Sequence, residues 1–114
     1  MANKRKEKQK QLTAEPSNLE GLIDYQEGSV VSRTIIDKKA GTVTLFAFDA
    51  DQGLSEHTAP FDALVHVLEG QAGIRIALDD HEVKAGQVLL LPAGFPHALR
   101  AHTSFKMLLT MIRA

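Results

Sequence analysis

The chain has 114 residues, a formal net charge of −1, 44% hydrophobic and 24% charged residues, and no cysteine. That length implies one domain, large enough to bury roughly two-thirds of its unfolded surface. Disulfides and thiolate metal sites are excluded, no apolar stretch reaches the ~20 residues that span a bilayer, and a cytoplasmic setting is expected.

The charge is unevenly spread. Lys4, Arg5, Lys6, Lys8 and Lys10 face only Glu7 in the first ten residues, a balance of +4, whereas the other 104 hold eight basic and thirteen acidic side chains, −5. No apolar h-region follows Met1–Gln11, so no secretory signal is expected. No aromatic interleaves the lysines, so a base-stacking platform is missing and a solvated terminus is expected rather than a nucleic-acid arm. Residues 1–16 lack periodicity and are read as a mobile basic tail ahead of a single domain over 17–114.

Ser17 followed by Glu20 is a capping-box pattern, and Leu19, Leu22 and Ile23 share a helical face, which predicts a short helix over 17–24. From Ser29 the character becomes β-branched: Val30, Val31, Thr34, Ile35 and Ile36 predict a strand, Lys38–Gly41 a turn, and Thr42–Phe48 a second strand. Asp49–Gly53 reads as a polar loop. Further strands are expected at about 62–69, 71–78, 81–84, 87–91, 97–102 and 104–112, with turn signals at Glu69-Gly70, Asp79-Asp80, Ala85-Gly86 and Pro92-Ala93-Gly94. Such spacing points to an all-β sandwich or barrel. Phe105, Leu108, Leu109 and Ile112 also fit a helical spacing, but the run of preceding strands and the apolarity of both faces favour a buried strand.

Two stretches carry chemistry. His57 stands ahead of the apolar run that ends at Glu69-Gly70, and Gly86, Pro92, Gly94 and His97 are spaced as glycine, five residues, Pro-x-Gly, two residues, histidine. The latter resembles the second motif of the cupin superfamily, and the chain is identified as a small single-domain cupin over about residues 29–112. The first motif is degraded: His57 fits its leading histidine and Gly70 its closing glycine, but Ala59 stands at the second histidine and Ala63 at the glutamate. The resemblance implies a double-stranded β-helix, or jelly roll, paired as a homodimer, with a cavity that often holds a divalent metal on three histidines and a carboxylate or amide.

Imidazole and carboxylate suit Fe, Mn, Ni, Zn or Cu. His57 and His97 are the candidate ligands. Asp62 is a further candidate if a β-bulge in Ala59-Pro60-Phe61 turns it inward, and His66 shares its face but lies some 13 Å along a strand. His81 and His102 are expected in solvent. The glycines serve backbone conformation, and the phenylalanines and methionines serve the core. A P-loop and a nucleophile elbow are both missing. Two functions stay open: a metal-dependent cupin acting on a small organic ligand, and a metal-free module that binds or senses a small molecule. The apolar faces of 29–36 and 42–48 exceed what one small barrel encloses, which also argues for a homodimer.

Overall fold

The computed structural model describes residues 12–113. Much of the expected tail, residues 1–11, lies outside the described residues, and 12–18 are exposed. Nine strands follow: β1 (Val30–Lys38), β2 (Gly41–Phe48), β3 (Gly53–His57), β4 (Asp62–Glu69), β5 (Gln71–Ile76), β6 (Asp79–Lys84), β7 (Val88–Leu91), β8 (His97–Arg100) and β9 (Phe105–Ile112). They form two antiparallel sheets, β1-β2-β9-β4-β7 and β3-β8-β5-β6, the two layers of a jelly roll. The C-terminal segment is a central strand of the larger sheet, so its helical spacing is a by-product of burial on both faces.

The helix expected over 17–24 is instead a single 3-10 turn, Leu19–Leu22, whose N-cap Asn18 makes no side-chain cap bond. The capping box does not form. Tertiary burial decides the conformation here: Leu22 and Ile23 are drawn onto the outer face of the larger sheet, where they pack with Leu45, Ala47, Tyr25 and Leu108. Ile23 is already extended, at φ −145° and ψ 145°. Lys106, itself buried, donates to the Glu20 carbonyl at 2.7 Å, Arg33 donates to the Leu22 carbonyl at 2.8 Å, and Tyr25 donates to Glu69 at 2.6 Å. The N-terminal segment is thus strapped to the sheet by both apolar burial and hydrogen bonds.

β3 is the strand absent from the expected order. Its sequence, Gly-Leu-Ser-Glu-His, has one apolar residue, and only Leu54 is shielded from solvent. It sits at the edge of the smaller sheet, where a strand needs just one apolar face. The hairpin after β5 also differs from expectation. It turns at Ala77-Leu78, with Ala77 at φ 53°, and Asp79 already pairs with Ile76. The aspartates expected to make the turn lie in β6 instead, and Asp80 faces Arg75 across the pair at 2.9 Å.

The core lies between the sheets. Phe48, Val65, Val67, Ile74, Phe105 and Met107 are almost fully buried there, and Phe48 stacks on Phe105 with ring centroids 4.4 Å apart. Gly70 closes the β4–β5 turn at φ 77°, and a Cβ there would collide with the Ser104 carbonyl and Phe105. Both backbone conformation and space demand glycine at that position.

Candidate functional site

His57 ends β3 and His97 opens β8, and the two residues pair directly across the smaller sheet. Next to His97 on its other side is Ile76, which packs against the core, so the pair lies on the inner face of the smaller sheet. The Nε2 atoms are 3.0 Å apart and the rings meet edge to face, centroids 4.3 Å apart at 72°. His97 is 6% exposed while His57 is open to solvent.

The remaining ring nitrogens are also engaged. His57 Nδ1 lies 3.0 Å from the Ser55 carbonyl and His97 Nδ1 lies 3.3 Å from the Phe95 carbonyl. A carbonyl only accepts, so each Nδ1 carries the proton in these bonds and each Nε2 presents a lone pair. Two lone pairs at 3.0 Å repel unless a proton or a cation lies between them. Burial, with the nearby His57 as a lesser cause, holds His97 below the ordinary histidine value, and the Phe95 carbonyl opposes that shift. The buried ring therefore favours its neutral, ligating form.

The approach to His97 is rigidly supported. Asp62 Oδ1 accepts from Ala93 N at 2.8 Å, Gly94 N donates to the Ala59 carbonyl at 2.8 Å, and Ala77 N donates to the Pro96 carbonyl at 2.8 Å. These bonds fix the Pro-x-Gly loop, with Gly94 at φ 81°, and so fix the carbonyl that orients the imidazole.

Asp62 and His66 are not brought to the pair. β4 pairs regularly with β9 from Asp62 to Val67, so no bulge turns Asp62 inward. Ala63, Val65 and Val67 point into the barrel and Asp62, Leu64 and His66 occupy the opposite face. Asp62 instead braces the loop before His97, a task hidden in sequence because its partner is a backbone amide 31 residues away. Ala63, at the family's glutamate position, faces inward between Leu91 and Met111. Among the described residues no group of three or more His, Cys, Asp or Glu side chains gathers to hold a metal. His81 and His102 are exposed, as expected.

A cavity of about 810 Å³ lies elsewhere, against the smaller sheet, and neither imidazole lines it. Gly73, Arg75 and Arg100 are among its residues. The signal for them in sequence is slight: a glycine in the middle of a β-rich run, and two arginines at outward positions.

The cupin domain family matches residues 44–113, more than half of the chain. The protein is a cupin. Among solved structures, a conserved protein of unknown function from Streptococcus pyogenes is 33% identical over 90% of each chain, with a TM-score of 0.86. A cupin superfamily protein from Desulfitobacterium hafniense is 28% identical, covers 92% of this chain and 97% of its own, and has the same TM-score of 0.86. A cupin 2 conserved barrel domain protein from Leptotrichia buccalis reaches 37% identity and a TM-score of 0.83 over 85% of this chain, which spans 47% of that protein. No curated protein matches. Cupins often bind metals or small ligands, and no helix among the described residues is long and apolar enough to cross a membrane.

Proposed function

We propose that this cupin holds one divalent transition metal between His57 Nε2 and His97 Nε2, with water and a small organic ligand filling the remaining positions. The observation that carries this reading is the pair of inward-facing Nε2 atoms 3.0 Å apart, each left with a lone pair by an Nδ1 bond to a carbonyl. His57 Nε2 and His97 Nε2 would hold the metal, since both imidazoles are neutral donors brought side by side across the strand pair. The donor set fits Fe, Mn, Ni, Zn or Cu. When bound, the metal supplies a Lewis acid or redox centre for an oxygen-bearing ligand.

The chain's own residues do the rest. Ser55 and Phe95 carbonyls hold both tautomers, a second layer of the kind that tunes metal affinity. Asp62 keeps the Phe95 loop in position. His57, being exposed, admits the incoming ligand from solvent.

The test is elemental analysis of protein purified without a histidine tag, followed by titration with Zn²⁺, Mn²⁺ and Ni²⁺. About one metal per chain is expected, lost in His57→Ala and in His97→Ala but kept in His81→Ala and His102→Ala. The absence of a third ligand among the described residues favours a second reading, a metal-free module that binds or senses a small molecule. Wild-type protein that takes up no metal in titration overturns the first reading in favour of the second.

Homodimerisation belongs to the same proposal. In-register pairs align Ile36, Val43, Thr110, Leu64 and Leu90 as one row across the outer face of the larger sheet. Ile36, Leu64 and Leu90 of that row are exposed, as are nearby Val88 and Ile112. A contiguous apolar surface of this kind marks an association face. Light scattering at micromolar concentration is expected to give twice the 12.4 kDa chain mass, and Leu64→Glu is expected to halve it. A monomeric wild type refutes the dimer.

A further inference from the structure

The outer face of the smaller sheet differs from that of the larger one. Ile74 and Leu99 point into the core and pair with each other, so their neighbours along β5 and β8 point outward. One row across the sheet then reads Gly53, Arg100, Gly73, Glu82, and the next reads Ala98, Arg75, Asp80. Arg100 therefore stands with glycine on both flanking strands and no cross-strand side chain to lean on. Gly53 is demanded by space, because its Cβ would lie 2.5 Å from the Leu99 carbonyl oxygen. Gly73 is less constrained: its Cβ would come no nearer than 3.1 Å to the Arg100 carbonyl oxygen, at an ordinary negative φ. A glycine inside a strand weakens it, and one common reason to keep it is the close approach of a ligand.

The cavity of about 810 Å³ lies over this face, with Gly73 and Ala98 in its floor and Arg100, His102 and Thr103 on one side. Its size is that of a small-molecule site. The charges around it are not equally free. Asp80 is engaged by Arg75 at 2.9 Å and 3.4 Å, and Glu82 accepts from Gln71 at 2.7 Å. Arg100 has no side-chain hydrogen bond or ion pair among the described residues. Arg75 offsets Asp80, and Glu82, bonded to the neutral Gln71 amide, keeps its own charge on the strand beyond Gly73. Arg100 is thus the groove's cation without an anionic partner among the described residues, its charge borne on a planar fork of N–H donors.

We propose that this groove is a second binding site, separate from the imidazole pair, which takes a small organic carboxylate. The carboxylate meets the Arg100 guanidinium and the flat body of the ligand lies over Gly73 and Ala98. Planar guanidinium and planar carboxylate match two-to-two, and it is the flat body of the ligand, laid over Gly73 and Ala98, that favours an organic carboxylate over a bare inorganic anion. The site stands independently of metal at His57 and His97, since neither histidine lines the groove.

The test is a titration of the full chain with benzoate, followed by amide chemical shifts in nuclear magnetic resonance. Shifts are expected at Gly73, Ala98 and Arg100, with His57 and His97 unmoved. Arg100→Gln, which keeps length and removes charge, is expected to weaken binding at least about tenfold, as loss of a charge-assisted hydrogen bond does. Gly73→Ser keeps the charge but fills the floor, and is expected to weaken binding while Arg100 stays intact. Should Arg100→Gln not fold, Gly73→Ser carries the test by itself. The proposal fails if benzoate moves no groove amide at millimolar concentration, or if its shifts centre on the two histidines. It also fails if both variants bind as the wild type does, or if inorganic phosphate moves the groove amides and benzoate does not.

Discussion

The two sheets share a core but present opposite outer faces. The larger sheet is apolar outside, covered at one end by the N-terminal strap of Leu22, Ile23 and Tyr25 and left open along the row from Ile36 to Leu90. The smaller sheet is polar and charged outside, interrupted by glycine, and carries both imidazoles on its inner side. A jelly roll needs both sheets for its core, yet only one has spare apolar surface to give to a partner. The difference separates the proposals: the proposed dimer would use the larger sheet, and the proposed metal and carboxylate sites the smaller.

Three substitutions or conditions test that division. Phe105→Ala should have the largest effect, because the ring is fully buried, stacks on Phe48 and belongs to the core both sheets share. A loss of ~3–5 kcal/mol is expected, read as a lowered midpoint in urea denaturation, and a loss below about 1 kcal/mol would mean that the sheets are less interdependent than the packing indicates.

A smaller effect should appear with pH. His97 is held below the ordinary histidine value of about 6.5, mainly by burial, so folding favours its neutral form. Its contribution to stability is complete above the unfolded value and is lost as pH falls from there through the lower folded value. His97→Asn should flatten that part of the urea stability profile measured between roughly pH 4 and 8. An unchanged slope would assign the acid sensitivity to other groups.

The smallest effect is expected on the outer face of the smaller sheet. Arg75 and Asp80 form an ion pair with both side chains largely in solvent. Arg75→Met should therefore change stability by no more than ~1 kcal/mol in the same denaturation assay. A larger loss would give this face a structural role that the comparison denies it.

Legibility from sequence followed the same division. β4 was readable to its ends because Ala63, Val65 and Val67 alternate with outward residues and Glu69-Gly70 closes the run. β3 was not, because an edge strand of the smaller sheet needs only Leu54 as an apolar signal. Leu19, Leu22 and Ile23 carry a helical spacing that a single 3-10 turn and an extended residue satisfy equally well once a sheet is there to receive them. At the site, the spacing of His57 and His97 within recognisable motifs singled them out before any geometry. The loop-bracing role of Asp62 and the groove around Arg100 were hidden, since each depends on residues from distant stretches meeting across strands.

The pairing of His57 with His97 across β3 and β8 has a kinetic side. β3 is an edge strand of five residues, its register interrupted between Leu54 and His57, whereas β8 is flanked on both sides and its entry loop is held by three hydrogen bonds. Short edge segments open locally at lower free energy than the strands they border. One half of the imidazole pair therefore rides on a segment able to lift away while the other stays fixed. Anything bound to both nitrogens closes that segment in proportion to its own affinity, so occupancy of the site is written into the amide-exchange rate of Ser55, Glu56 and His57.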